Sequence, residues 1–233
     1  MSICRFGRLL ASASVVSLVD LTSTLDGKVI GQEIETRQTP NYSAPCVQDP
    51  SGGAGVINQC FETPDGKLVV FYRTDFFEVQ PAPRRYRQLI RTACEALEIE
   101  AEDCDVVPML VNIGHNAMAG ACEGRRVVLF DRNIDSQFGK PGAAFAILHE
   151  LGHHHCDHLD QVCGPWAELE ADAFAGAGLR VLGVSLNDAL SVSRNLIDHD
   201  GGSHPKIKER ADAIRRGWTS PKAATDCGLS TSN

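Results

Sequence analysis

The run Ala146-Ile147-Leu148-His149-Glu150-Leu151-Gly152-His153 sets two histidines four residues apart, with a glutamate directly after the first. On a helix, positions i and i+4 share a face with Cβ atoms about 6 Å apart. Two imidazoles at that spacing can hold one metal ion. Glu150 lies on the same helix and can take a proton from a water that the ion activates, the general-base role in metal-assisted hydrolysis. The ordinary alternative is a solvated helix that carries the pattern by chance, for which a chain with eight histidines leaves room.

Catalytic zinc usually has three protein ligands and one open position, so the motif calls for a third donor. Glu168 and Asp172 stand at i and i+4 in Glu168-Leu169-Glu170-Ala171-Asp172. Glu168 is expected to reach the metal from a second helix. Asp172, one turn on, is expected to accept a hydrogen bond from a ligand histidine and fix its tautomer. Glu170 points to another side and reads as a solvated helix charge. By helical angle His154, His155 and His158 point away from the His149/His153 face and read as solvated or helix-end residues, with a second metal between His154 and His158 as the rival reading. His115 and His199 have no partner pattern.

These side chains need elements to carry them. Gly142 to His155, rich in Ala, Leu and Ile, is expected as the first helix and Trp166 to Leu182 as the second. Gly164-Pro165 breaks the chain between them, since Pro suits a first helical turn. Asn187 is expected to cap a third helix to about Ile197, and Pro205 to Arg216 forms another. Upstream, Arg84 to Leu97 has Leu89, Ile90, Ala93 and Leu97 at helical spacing. Lys67 to Arg73 and Val106 to Ile113 read as strands, with Pro108 suggesting an edge or a bulge in the latter. Asn116 to Cys122 and Val127 to Asp131 flank Glu123-Gly124 as in a hairpin. The sum is an α+β domain, a small sheet packed on several helices.

The 233 residues carry a formal net charge of -8 and 43% hydrophobic residues. That allows a real core and argues against a nucleic-acid partner, since no basic patch dominates. Arg5 and Arg8 precede the apolar stretch Leu9 to Leu21, the layout of a secretory signal and too short for a membrane span. An ordinary amphipathic segment is the alternative. Residues 1–25 are therefore expected as a signal, 26–65 as an irregular arm, 66–220 as the domain and 221–233 as a tail. The arm is either a spacer or an inhibitory segment over the cleft. Of the nine cysteines, eight lie beyond the signal segment, an even number that suits disulfides in an oxidising compartment. The local pairs Cys46/Cys60, Cys94/Cys104 and Cys156/Cys163 are expected, which leaves Cys122/Cys227. The expected location is periplasmic or secreted.

The pattern HELGH, then ELEADAFAG, then SHPKIKER resembles the HtpX-like and CaaX-prenyl-protease family of gluzincin metallopeptidases over about 106–217. The resemblance implies a zincin-like fold and a Zn2+-dependent endopeptidase of envelope protein quality control, acting on polypeptide substrates. His149, His153 and Glu168 would bind zinc, Glu150 would be the base, and Asp172 would brace a ligand. The family's late His-Pro and following Arg match His204-Pro205 and Arg210. His204 would then stabilise the oxyanion or brace the site with Arg210, unless it only organises a turn. Asn116-Ala117-Met118-Ala119 looks like the edge strand along which a substrate backbone pairs. The spacing from His153 to Glu168 is shorter than in many members, and the membrane helices of others are missing, so the soluble periplasmic members are the nearest likeness. A chaperone-like envelope protein that keeps the zinc fold with little proteolysis is the functional alternative.

Overall fold

A computed structural model of the chain describes residues 59–72, 75–114, 116–122, 124–160, 164–193 and 205–228. The expected signal segment, His115, His199, His204, Cys46 and Cys163 lie outside these residues.

The described chain is mixed α and β. Its strands are β1 (Gln59–Glu62), β2 (Leu68–Tyr72), β3 (Asp75–Pro81), β4 (Val106–Val111), β5 (Ala117–Cys122) and β6 (Arg125–Asp131). Its helices are α1 (Arg84–Leu97), α2 (Ile134–His155), α3 (Pro165–Val181), α4 (Leu186–Ser193) and α5 (Ile207–Thr219). The strands form one sheet in the order β1-β2-β3-β4-β6-β5. Every pair is antiparallel except β4 with β6. The Cys60–Cys122 disulfide joins the first strand of this order to the last, so the sheet curls. Successive strand residues face opposite sides, and β6 shows the consequence. Val128 and Phe130 enter the main core with the helices, while Val127 and Leu129 enter a second core with Val70, Val79, Val111 and Met118.

The hairpin β5–β6 and the helix α1 fall where the sequence puts them. Pro108 does not mark an edge, because β4 lies between β3 and β6. Pairing of β4 with β3 is confined to Met109 and Leu110, so the amide that proline lacks falls where that ladder ends. The residues 59–62 of the expected arm form β1, and residues 222–224 of the expected tail form a short 3-10 turn. Ser185, not Asn187, caps α4: its Oγ accepts the Asp188 amide at 3.2 Å. Among the described residues no helix is long and apolar enough to cross a membrane.

α2 is longer than its apolar run. Gly139, at φ 67 and ψ 174, breaks it, and Pro141 opens the second segment, which runs through the histidines. That segment buries Ala143, Phe145, Ile147, Leu148 and Leu151. α3 is buried on all sides, Ala171 to Leu179 without a break, as expected for a helix enclosed by neighbours. Small residues set how near those neighbours come. A Cβ on Gly152 would sit 3.0 Å from the Ala171 Cα, so this glycine lets α2 lie against α3. A Cβ on Gly176 would meet the Ile214 carbonyl oxygen at 2.3 Å, and one on Gly217 would overlap the Ala173 carbonyl, so α3 and α5 touch almost backbone to backbone. These approaches bring side chains of three helices, α2, α3 and α5, close together.

Candidate metal centre

His149 and His153 stand one turn apart on α2 with both Nε2 atoms directed at the same spot, 3.1 Å from each other. Glu168, in the first turn of α3, brings its carboxylate to that spot: Oε2 is 3.4 Å from His149 Nε2, and Oε1 is 3.5 Å from His153 Nε2. All three residues are buried. A tetrahedral ion with bonds of about 2.0–2.1 Å has ligand–ligand edges of about 3.3 Å. The observed separations, those to Glu168 falling on different carboxylate oxygens, lie near that value, so two imidazoles and a carboxylate could hold a metal ion here.

What stands behind each donor differs. His149 Nδ1 lies 2.9 Å from Asp172 Oδ1, in a bent contact. Asp172, with no exposed surface, is held in turn by the Arg210 guanidinium of α5. Arg210 Nε donates to its Oδ2 at 2.7 Å, and a terminal nitrogen of the same guanidinium donates to Oδ1 at 2.8 Å. This fork-to-fork geometry is the strong form of an arginine–carboxylate pair. Arg210 also reaches to 3.9 Å from Glu168. His153 Nδ1 instead lies 3.0 Å from His158 Nδ1, and His158 Nε2 lies 2.9 Å from Glu170 Oε2.

The electrostatics follow from burial among carboxylates. Burial pulls the His149 imidazolium down, but the Asp172 and Glu168 carboxylates outweigh it and lift His149 to about 10. The pocket thus demands a positive charge at this spot. Burial, reinforced by the neighbouring His149 charge, drives His153 down to about 3 and keeps it neutral, the form a metal ligand needs. Asp172 would also rise on burial, but Arg210 holds it below the usual carboxylate range. Glu150 is buried beside the donors, and loss of water lifts it to about 7, opposed first by His149. The backbone N–H of Ala119 works against that rise. Ala119 belongs to β5, the last strand of the sheet, which packs along α2.

The structure therefore brings His149, Glu150, His153, Glu168 and Asp172 together, with Arg210 behind Asp172. His204 lies outside the described residues. Several expectations change. Glu170 is not a solvated charge. It is buried, and it accepts from His158 and from the Gly228 amide, the latter at 2.9 Å. Of the three histidines just past the motif, His154 and His155 close α2, as the helix-end reading has it, and His154 and His158 are buried rather than solvated. His154 is buried, with Nε2 2.8 Å from the Val127 carbonyl oxygen. His155 lies 3.2 Å from Asp103 and 3.0 Å from the Thr225 carbonyl oxygen. Among the described residues the disulfides are Cys60–Cys122, Cys94–Cys104 and Cys156–Cys227. Of the expected pairs, Cys94/Cys104 is present. Cys46/Cys60, Cys156/Cys163 and Cys122/Cys227 are each displaced by a bridge to a residue distant in sequence.

No family model, curated protein or solved structure matches the chain.

Proposed function

We propose that this protein is a zinc metallopeptidase of zincin type that cleaves polypeptides in an oxidising compartment. One observation carries the reading: two imidazole Nε2 atoms and one carboxylate converge at tetrahedral spacing beside a buried glutamate. The donor set suits zinc, which takes two histidines and a glutamate in catalytic sites that keep a position open. The three disulfides support a location outside the reducing cytosol, periplasmic or secreted.

When bound, zinc supplies a Lewis acid that polarises a carbonyl and lowers the pKa of a water toward about 7. Glu150 does the proton work. A carboxylate held near neutral pH can accept a proton and later return it to a leaving amine. β5 packs along α2, and its closeness gives an extended peptide a backbone to run beside. Asp172 and Arg210 keep His149 turned toward the donor cluster. His149, His153 and Glu168 would hold the ion without serving as base.

The test is cleavage of unfolded casein by the zinc-loaded protein, followed through newly released amino groups. Chelation should stop the release and added zinc restore it. Glu150→Gln should retain zinc and lose roughly 10²–10⁴-fold in rate. A zinc-loaded Glu150→Gln protein that cuts as fast as the parent would refute the mechanism.

A further inference from the structure

We propose that His158 and Glu170 are positioning residues for this metal site, fixing His153 in the tautomer whose Nε2 lone pair faces His149 and Glu168. The inference rests on the metal-binding reading of those three donors. It assigns a role to two residues that neither the motif nor its spacing marks.

The order of protons is set from Glu170. A carboxylate can only accept, so the short contact of Glu170 Oε2 with His158 Nε2, 2.9 Å, places the His158 proton on Nε2. The other ring nitrogen of His158 is then an acceptor. It lies 3.0 Å from His153 Nδ1, which must donate. A neutral imidazole carries one proton, so His153 Nε2 is left as a lone pair, and that atom lies 3.5 Å from Glu168 and 3.1 Å from His149 Nε2. The tautomer of a metal ligand is thus set two side chains away by an anion.

The far end of the relay is tied down. Glu170 Oε1 accepts the Gly228 amide at 2.9 Å. The preceding residue, Cys227, is bonded to Cys156, which follows the last residue of α2. The Trp166 ring stands edge-on to His158 at 5.2 Å. His153, His158 and Glu170 are 2%, 1% and 5% exposed, so water cannot substitute for either partner. A second metal site built from Cys156, His158 and Glu170 is the rival use of the same cluster, since their donor atoms lie within 4.8 Å of one another. The Cys156 sulfur is committed to the disulfide and offers no thiolate, which leaves the support role.

Two measurements on the full chain test this. In the first, zinc affinity is read by competition with a chelating indicator for the parent, His149→Ala, Glu170→Gln and His158→Ala. An amide at 170 can donate as well as accept, and so frees His158 to take the other tautomer. Both relay variants should bind zinc about 10–100-fold more weakly, the loss expected for partners of a ligand. A purely structural role would lower the melting temperature of the zinc-free protein and leave zinc affinity unchanged. Folded relay variants with affinity within about twofold of the parent would overturn the proposal while leaving the metal site intact. A parent that binds no zinc, or no more than His149→Ala, would sink the metal reading and this inference with it. The second measurement needs no variant. Long-range proton–nitrogen spectra of the zinc-loaded parent should show His158 protonated at Nε2 and His153 at Nδ1. The opposite tautomer at either ring would overturn the relay even if neither variant folds.

Discussion

The two imidazoles of the candidate centre are one helical turn apart, yet they are braced by opposite means. Behind His149 stands a buried ion pair, Asp172 with Arg210, drawn from two other helices. Behind His153 stands a shorter-range relay through His158 and Glu170 that ends on the backbone of Gly228. The first brace invests charge and the second invests geometry. A buried pair fails badly when one member is removed, because the other is left as an uncompensated charge. A chain of hydrogen bonds loses direction before it loses stability. The centre should therefore break in two distinguishable ways.

The largest stability effect is expected on the His149 side. Arg210→Met keeps the packing of α5 against α3 but strands the Asp172 carboxylate, which has no exposed surface. Chemical denaturation should show a loss of about 3–5 kcal/mol. A loss below about 1 kcal/mol would mean that Asp172 finds another cation or takes up a proton, and the contrast between the two braces would fail.

A smaller effect is expected on the His153 side. Replacing both Cys156 and Cys227 by Ser opens the loop that holds Gly228 against Glu170, and should cost about 2–4 kcal/mol by the same assay. Its zinc affinity should fall less than that of Glu170→Gln, because the disulfide acts on His153 through three further links. A greater fall would show that the C-terminal segment, and not Glu170, directs the ring.

The same contrast marks what the sequence could reveal. The Asp172 half of the His149 brace was legible from helical spacing, while Arg210 came only through the resemblance. His149 and His153 share a face of α2, and Glu168 and Asp172 share a face of α3. Helix α1 was legible for a similar reason, since Tyr86, Ile90, Ala93, Cys94 and Leu97 recur on one buried side. The His153 brace was not legible by that rule. α2 ends at His155, and Asp157 then takes φ 52, so the chain reverses. An angle extended along the helix to His158 points the wrong way, because His158 sits on the following 3-10 turn. A usable signal was nonetheless present. α3 is rich in Ala, Gly, Leu and Phe on every side, the composition of an enclosed helix, and a charge in such a helix needs a partner; Glu170 could have been flagged on that ground. Cys94/Cys104 was read correctly; the local pairs Cys46/Cys60 and Cys156/Cys163 were misjudged because short loops close more readily in an unfolded chain. Sheet curling, a long-range effect, instead puts Cys60 beside Cys122.

The central claim is that one ion sits among His149, His153 and Glu168. X-ray absorption fine structure at the zinc edge of the loaded protein tests it most directly. The account predicts a first shell of nitrogen and oxygen alone at about 2.0–2.1 Å, with outer-shell scattering from two imidazoles that falls to one in His149→Ala. A sulfur shell at about 2.3 Å, or imidazole scattering that His149→Ala leaves unchanged, would contradict it.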